Sequence, residues 1–257
     1  MKFNLGNLRI YIESNYEEMS KKAAYILSSQ IRLYPQSVIG LATGGTPVGM
    51  YKELVRMHKE EDLDFSELTT FNLDEYYPIS KDNPQSYYYY MMDNLFSHVN
   101  IDINRVHIPN GMAEDVKEEC KNYEKMIRNA GGVSLQILGI GPNGHIGFNE
   151  PDTKLEPYTH LVELDEKTIE ANSRYFNSME EVPKQALSMG VKTIMSAKKL
   201  VLLASGKNKA EVIKEAIMGG ITPEIPASFL QLHPDVTFIL DAEAASEVLP
   251  LLEKERA

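Results

Sequence analysis

The sequence predicts an α/β fold whose central sheet is mainly parallel and covered by helices on both faces. Short apolar runs alternate with amphipathic segments along the 257 residues. Strands that are apolar throughout are typical of parallel sheets, because helices bury both of their faces. No charge block and no linker rich in Ser, Gly or Pro divides the chain. We therefore expect a single domain over residues 1–257.

Six apolar runs are predicted strands, and most of them end on glycines or polar residues. In chain order they are SVIGLATGG (37–45), TTFNLDEYY (69–77), RVHIP (105–109), VSLQILGIG (133–141), KLVLLASG (199–206) and DVTFILD (235–241). Ligands of such folds bind beyond the carboxyl ends of the strands. The polar residues that follow these runs are therefore the first candidates for a functional site.

Five segments with helical character lie between or after these runs. They are TPVGMYKELVRMHKE (46–60), PQSYYYYMMDNLFSHV (84–99), AEDVKEECKNYEKMIRN (113–129), KNKAEVIKEAIMGG (207–220) and AEAASEVLPLLEKE (242–255). In the first, Met50, Leu54 and Met57 share one side, and a proline and a serine open the second. Periodicity is weak over residues 163–185, which makes this segment a candidate for a mobile lid that closes over a ligand.

Composition argues against several classes of function. A net charge of -11 and a pI of about 5.1 disfavour nucleic acid as a partner, because binding it requires a basic surface. The single cysteine, Cys120, cannot form an intrachain disulfide, which is typical of the reducing cytosol. The N-terminus lacks the apolar core of a signal peptide, and no run approaches the length of a membrane span. We expect a cytoplasmic protein that binds neither nucleic acid nor membrane.

The turn in LATGGTP has features suited to an anion. It places Thr43, Gly44, Gly45 and Thr46 between a strand and a helix. Glycines let the backbone approach an anion closely, and the start of a helix contributes N–H groups and a partial positive charge. A plain tight turn with a threonine N-cap would read the same way, so the turn alone leaves both interpretations open.

Two cations could complete an anion site. Lys209 follows a strand in ASGKNK, where a cation would suit a sugar phosphate, although a solvated helix start has the same pattern. Arg174, in ANSRYF, lies in the candidate lid and could close over a ligand or simply be a surface arginine.

Two other strand ends carry acid/base groups. FNLDEYY places Asp74 beside Glu75, and neighbours on a strand point to opposite faces, so one could be a base while the other is structural. In GIGPNGHIGFNEP, Glu150 is close enough to orient His145, and such a pair can move protons near neutral pH. A lone histidine is nevertheless more often structural. Neither metal-ligand spacing nor a nucleophilic G-x-S-x-G motif occurs. The pattern suits proton transfer on a phosphorylated sugar, with no metal and no cofactor.

Five segments together resemble the glucosamine-6-phosphate deaminase family: LATGGTPVGMYKEL, FNLDEYY, NPQSYYYYM, GIGPNGHIGFNEP and ANSRYF. The resemblance runs from about residue 38 to residue 241. It implies a Rossmann-like α/β/α sandwich. It also implies a cofactor-free hydrolase acting on an amino sugar phosphate, which isomerises and deaminates glucosamine 6-phosphate to fructose 6-phosphate and ammonia in amino sugar catabolism.

The resemblance also implies roles for single residues. Asp74 would take the proton from C2 and return it to C1, and His145, helped by Glu150, would open the pyranose ring. The substrate phosphate would lie on Thr43, Gly44, Gly45, Thr46, Arg174 and Lys209.

Two positions depart from the family pattern. Many members have Asp where this chain has Asn143, which can hydrogen-bond the catalytic loop but cannot stabilise an imidazolium by charge. Allosteric hexameric members have Arg and Lys where this chain has His160 and Val162. We therefore expect weak or absent activation by N-acetylglucosamine 6-phosphate, in either a monomer or a homo-oligomer.

Three alternatives remain. A 6-phosphogluconolactonase would resemble this fold, but it has no need of the DEYY and NGHIGFNEP stretches. Galactosamine 6-phosphate differs from the expected substrate at one hydroxyl, and the sequence leaves it open. A sugar-phosphate sensor would need a DNA-binding helix-turn-helix, whereas the segment before Val38 is about one helix long.

Overall fold

The computed structural model describes residues 1–165, 169–170, 173, 176 and 178–256. The strands are β1 (Lys2–Leu5), β2 (Leu8–Glu13), β3 (Val38–Leu41), β4 (Thr69–Asn72), β5 (Asp74–Tyr77), β6 (Val106–His107), β7 (Leu135–Leu138), β8 (His160–Glu163), β9 (Gln185–Ser188), β10 (Leu200–Ala204) and β11 (Val236–Asp241). The α-helices are α1 (Tyr16–Leu33), α2 (Val48–Glu60), α3 (Tyr87–Asn94), α4 (Val116–Asn129), α5 (Val191–Met195), α6 (Ala210–Met218) and α7 (Leu249–Arg256). Short 3-10 turns join several of them.

The central sheet confirms the predicted α/β class. Its strand order is β1-β2-β11-β10-β7-β3-β4-β6, and every pair is parallel except β1 with β2. Strands β3, β7, β10 and β11 are buried at every residue, so both faces of the sheet are covered. A second sheet, of order β5-β9-β8, is antiparallel and lies apart from the first.

The prediction of one strand over residues 69–77 was wrong. The chain leaves the central sheet after Asn72 and joins the small sheet at Asp74. Leu73 lies at the break, where its N–H donates to the Leu41 carbonyl and its carbonyl accepts from the N–H of Met189. The change of sheet places Asp74 directly beyond the carboxyl end of β4.

Other element boundaries also differ from the prediction. The N-terminal segment, expected to be about one helix long, forms β1, β2 and α1. Asn15 caps α1 by accepting a hydrogen bond from the N–H of Glu18. The helix predicted over residues 242–255 is α-helical only from Leu249, because the Asp241 carboxylate accepts a hydrogen bond from the N–H of Ala244 and holds the residues before Leu249 in turns.

Two apolar clusters hold these layers together. The larger one joins the central sheet to its helices and includes the fully buried Tyr51, Phe71 and Phe238. The smaller one surrounds Tyr76 and Phe148 at the small sheet. None of the helices in the described ranges combines the length and the apolar character that crossing a lipid bilayer requires.

Candidate active site

A cleft of about 470 Å³ opens at the carboxyl ends of the central strands. Residues beyond β3, β4, β7 and β10 meet there, because the carboxyl ends of parallel strands share one edge of the sheet. The lining includes four groups of residues predicted from sequence and brings them together: Thr43, Gly44, Gly45 and Thr46; Asp74; His145; and Lys209.

Tyrosine hydroxyls hold the turn after β3 in place. Tyr90 donates to the Gly44 carbonyl at 2.7 Å, and Tyr16 donates to the Gly45 carbonyl at 3.1 Å. Tyr51 donates to the Ala42 carbonyl at 2.5 Å. These three bonds, from three different helices, fix the carbonyls of the turn before any ligand arrives.

The N–H groups of the same turn remain available. In the described part of the chain, the N–H groups of residues 43–46 donate to no protein acceptor. Gly44 has a φ of +94°, a left-handed conformation that other residues rarely adopt. Helix α2 begins immediately afterwards and adds the positive end of its dipole. The turn can therefore receive an anion through its backbone.

Lys209 brings a cation to this end of the cleft. Its Nζ donates to the Ile140 carbonyl at 2.7 Å, which draws the side chain across the end of β7. The loop that carries it is held by Asp241, whose carboxylate accepts from the Gly206 N–H at 3.1 Å and from the Ser205 hydroxyl at 2.5 Å. Gly206 has a φ of +92°, which lets the chain turn sharply before the lysine.

Asp74 and Glu75 lie side by side on β5 and are both almost completely buried. Asp74 faces the cleft, and no described residue donates a hydrogen bond to its carboxylate. Glu75 points the other way and accepts from three backbone N–H groups, those of Tyr76, Tyr87 and Tyr88, at 2.8–2.9 Å. Strand alternation thus separates the two carboxylates, as the sequence predicted.

Burial sets the protonation of Asp74. Loss of hydration, together with the neighbouring Glu75 charge, raises the pKa of Asp74 from 3.8 to about 8. Burial also raises the pKa of Glu75, to about 7, against the opposing effect of its three N–H donors. A carboxyl group whose pKa lies near neutrality is suited to both accepting and returning a proton.

The glycine-rich loop after β7 supplies the imidazole. His145 Nδ1 lies 2.9 Å from Glu150 Oε2, and the same oxygen accepts from Asn143 Nδ2 at 2.7 Å. The Asn143 side-chain oxygen in turn accepts from the His145 N–H at 3.3 Å. Because Glu150 holds Nδ1, the other ring nitrogen of His145 is left to exchange protons with a ligand.

Gly141 makes room for this ring. A Cβ at residue 141 would lie 2.3–2.5 Å from three atoms of the His145 imidazole, so the ring rests directly on the glycine backbone. Across the loop, Gly147 has a φ of +59°, and a Cβ there would lie 3.7 Å from Asp74 Oδ2. Only hydrogen fits against the His145 ring at Gly141, whereas at Gly147 it is the left-handed backbone, and not the distance to Asp74, that favours glycine.

Sequence reasoning missed Tyr87, the first residue of α3, which lines the cleft. Tyr87 shares the cleft lining with Thr43, its ring lies 4.8 Å from that of Tyr76, and it stacks on Phe148 with centroids 6.1 Å apart. Its place directly after the Ser86 cap fixed its helical position, but the run of four tyrosines gave no sign of which one faces the cleft.

Some predicted positions lie elsewhere. Arg174 is outside the described residues, as is about a third of the candidate lid over residues 163–185. Glu150 and Asn143 stand behind His145 rather than in the cleft lining. His160 and Val162 lie on β8 of the small sheet and do not line the cleft.

The chain matches the family model described as glucosamine-6-phosphate isomerases/6-phosphogluconolactonase over residues 13–238. It is 64% identical over 237 residues to a glucosamine-6-phosphate deaminase of Alkaliphilus oremlandii, covering 92% of this chain and 98% of that protein. It is 61% identical over 241 residues to one of Clostridium botulinum, covering 94% of this chain and 99% of that protein.

Solved structures give the same picture. The chain superposes on a monomeric glucosamine-6-phosphate deaminase with a TM-score of 0.91 and 49% identity, covering 93% of this chain and 99% of the other. The 6-phosphogluconolactonase of Trypanosoma brucei has a TM-score of 0.75 at 20% identity, covering 96% of this chain and 99% of the other, which shows a shared fold only.

Proposed function

The chain belongs to the family of glucosamine-6-phosphate isomerases and 6-phosphogluconolactonases, and within that family we propose that it is a glucosamine-6-phosphate deaminase. It converts glucosamine 6-phosphate to fructose 6-phosphate and ammonia in amino sugar catabolism. The observation that carries this proposal is the cleft itself, in which the buried Asp74 and the oriented His145 share one cavity with the turn at residues 43–46.

We assign the phosphate to the turn and to Lys209. Backbone N–H groups, the start of α2 and one lysine provide a positive end to a cleft in a protein whose net charge is -11. Arg174 remains a proposed phosphate ligand from sequence. The segment 163–185 remains a proposed lid.

The chemistry then follows from the two proton-transfer groups. His145 moves a proton between the ring oxygen and the C1 hydroxyl as the pyranose opens. Asp74 takes the proton from C2 and returns it to C1, which converts the amino aldose into a ketimine. Water adds to the C=N bond, and ammonia leaves as fructose 6-phosphate forms. The substrate ammonium at C2 favours the Asp74 carboxylate, because a nearby cation lowers the pKa of an acid.

The reaction can be classified by its mechanism and by its overall balance. The relatives support a deaminase that works by aldose–ketose isomerisation. Since the balanced reaction consumes one water and releases ammonia, hydrolase is its formal class. The protein carries out this reaction with no cofactor.

The lactonase alternative is disfavoured by chemistry. Opening a lactone requires attack by water at a carbonyl and removes no proton from carbon, so one base that activates water would suffice, whereas this cleft holds two proton-transfer groups, Asp74 and His145. The low identity to lactonases supports the same choice. Because the similar solved deaminase is monomeric, we also propose that this chain acts as a monomer without activation by N-acetylglucosamine 6-phosphate.

The test measures ammonia and fructose 6-phosphate released from glucosamine 6-phosphate by wild type and by Asp74→Asn. We expect kcat to fall by about a thousandfold, with a modest change in KM, because a general base contributes about a hundred- to ten-thousandfold. Glu124→Gln is the matched control, since Glu124 is a buried carboxylate that accepts from Thr159 and Thr193 outside the cleft. Hydrolysis of 6-phosphogluconolactone without ammonia release would refute the proposal.

A further inference from the structure

We propose that Glu75 is a positioning residue of this site, which anchors the start of α3 and the cleft residue Tyr87 against the strand that carries Asp74. The inference rests on the proposed function and assigns a role to the second carboxylate of the DEYY stretch.

The contacts of Glu75 reach across two elements. Its Oε1 accepts from the N–H of Tyr76 at 2.9 Å, within its own strand, and from the N–H of Tyr87 at 2.8 Å. Its Oε2 accepts from the N–H of Tyr88 at 2.9 Å. The Glu75 side chain therefore binds the first two residues of α3, which lie 12 and 13 positions further along the chain.

These are the N–H groups that a helix leaves unpaired at its start. Helix α3 has no acidic residue in its own first turn, and Ser86 caps only the N–H of Tyr89. Glu75 therefore supplies from β5 the negative charge that a helix start favours. Removing it would release Tyr87 and Tyr88 together.

Movement of Tyr87 would reach the cleft directly. Tyr87 lines the cleft together with Thr43 of the anion-binding turn, and it stacks on Phe148 of the loop that carries His145. One carboxylate thereby fixes a residue that touches both ends of the site.

Glu75 also places a negative charge beside Asp74, which raises the Asp74 pKa further than burial alone. Tyrosines from three helices face Asp74: Tyr51 on α2, Tyr87 on α3 and Tyr123 on α4. Burial raises the pKa of all three well above the ordinary value, so they stay neutral.

Other titratable groups of the described chain lie on both sides of this pair of carboxylates. His145 lines the cleft on the Asp74 side. On the Glu75 side, Lys81 and Asp82 line a separate cavity that Glu75 also borders. Substitution of Glu75 therefore removes the charge adjacent to Asp74 and leaves these others in place.

The experiment compares kcat, KM and the pH profile of kcat/KM for wild type, Glu75→Gln, Glu75→Asp, Ser86→Ala and Glu124→Gln. In Glu75→Gln we expect kcat to fall about tenfold and the acidic limb of kcat/KM to move to lower pH by about one unit, because Asp74 loses a like-charged neighbour. Glu75→Asp keeps the negative charge, but its shorter side chain cannot reach the N–H groups of α3 equally well. The acidic limb of kcat/KM should therefore keep its position while kcat falls several-fold. Ser86→Ala loosens α3 without a change of charge and should leave the limb in place, as should Glu124→Gln.

An acidic limb that does not move in Glu75→Gln, with a loss of thermal stability like that of Glu124→Gln, would reduce Glu75 to a structural residue and overturn the proposal. If Glu75→Gln does not fold, Glu75→Asp decides, because full kcat in that variant would also overturn it. A wild type that releases no ammonia refutes the proposed function instead. The pH dependence of unfolding then tests Glu75, since its neutralisation should flatten the fall of stability with rising pH.

Discussion

On one side of the cleft, the Asp74 carboxylate receives no hydrogen bond from any described residue, whereas on the other side His145 is bonded to Glu150, which also accepts from Asn143. Asp74 is made more basic by its surroundings, because burial and the nearby Glu75 charge raise its pKa to near neutrality. His145 is instead prepared by its orientation, because its hydrogen-bond partners fix one ring nitrogen and thereby direct the other nitrogen into the cleft. The comparison teaches that one site prepares two proton carriers by opposite means.

The strongest test of the oriented side is Gly141→Ala. The new Cβ would lie 2.3–2.5 Å from the imidazole, so the ring must leave its position beside Glu150. We expect kcat to fall by about a hundredfold, since misplacing a catalytic group by about 1 Å can have that effect. Gly220→Ala is the matched control, because a Cβ there meets no atom within 4 Å and the residue does not line the cleft. Equal kcat values for the two variants would mean that the His145 orientation is unimportant.

The two sides also differ in how far the sequence predicts them. The loop side is nearly local: His145 and Glu150 are five residues apart, and their pairing could be anticipated from spacing alone. The Asp74 side depends on the break at Leu73, where the chain changes sheets. An unbroken strand was the simpler interpretation of TTFNLDEYY, because the hydrogen bonds that cause the break come from Leu41 and Met189, which are distant in sequence.

The same distinction applies to the fold. The parallel core strands are apolar throughout, so their class and location could be predicted. Strands β1 and β2 are half-exposed and form a local hairpin, whereas the short strands of the small antiparallel sheet pair with partners that are distant in sequence. Tyr87 was missed for a related reason, since its place in the cleft is set by Glu75 on another element.

A second test concerns the anion end, which both proton carriers share. In Lys209→Met we expect KM to rise about tenfold to a hundredfold, because hydrogen bonds to charged groups are worth about 1.5–3 kcal/mol. The change in kcat should be smaller, since Lys209 touches no reacting carbon. Lys207→Met is the control, being an exposed lysine of the same turn that does not line the cleft. A large fall in kcat with constant KM would place Lys209 with the proton carriers instead.

A third test asks what burial of Asp74 costs the fold. Its pKa is raised from 3.8 to about 8, so between these values the folded state keeps a proton that the unfolded state has lost. Stability must therefore fall as pH rises through this window. Between pH 6 and pH 8 we expect the free energy of unfolding to drop by more than about 1.4 kcal/mol, the value of one proton over one pH unit. Urea unfolding of Asp74→Asn should show a much flatter dependence, and equal slopes for the two proteins would contradict the idea.

The smallest expected effect returns to the oriented side. Asn143→Ala removes the amide donor to Glu150 and the acceptor for the His145 N–H, but it leaves the bond between imidazole and carboxylate in place. Asn143 touches neither the reacting atoms nor the imidazole nitrogens, so only part of the energy of these two hydrogen bonds, about 1 kcal/mol, should affect the transition state, and kcat should fall about three- to tenfold with KM unchanged. Asn110→Ala, in an exposed loop outside the cleft, is the control. A loss as large as that of Gly141→Ala would mean that Asn143, and not Glu150, holds the ring, and the contrast between the two sides would then rest on an amide rather than on a carboxylate.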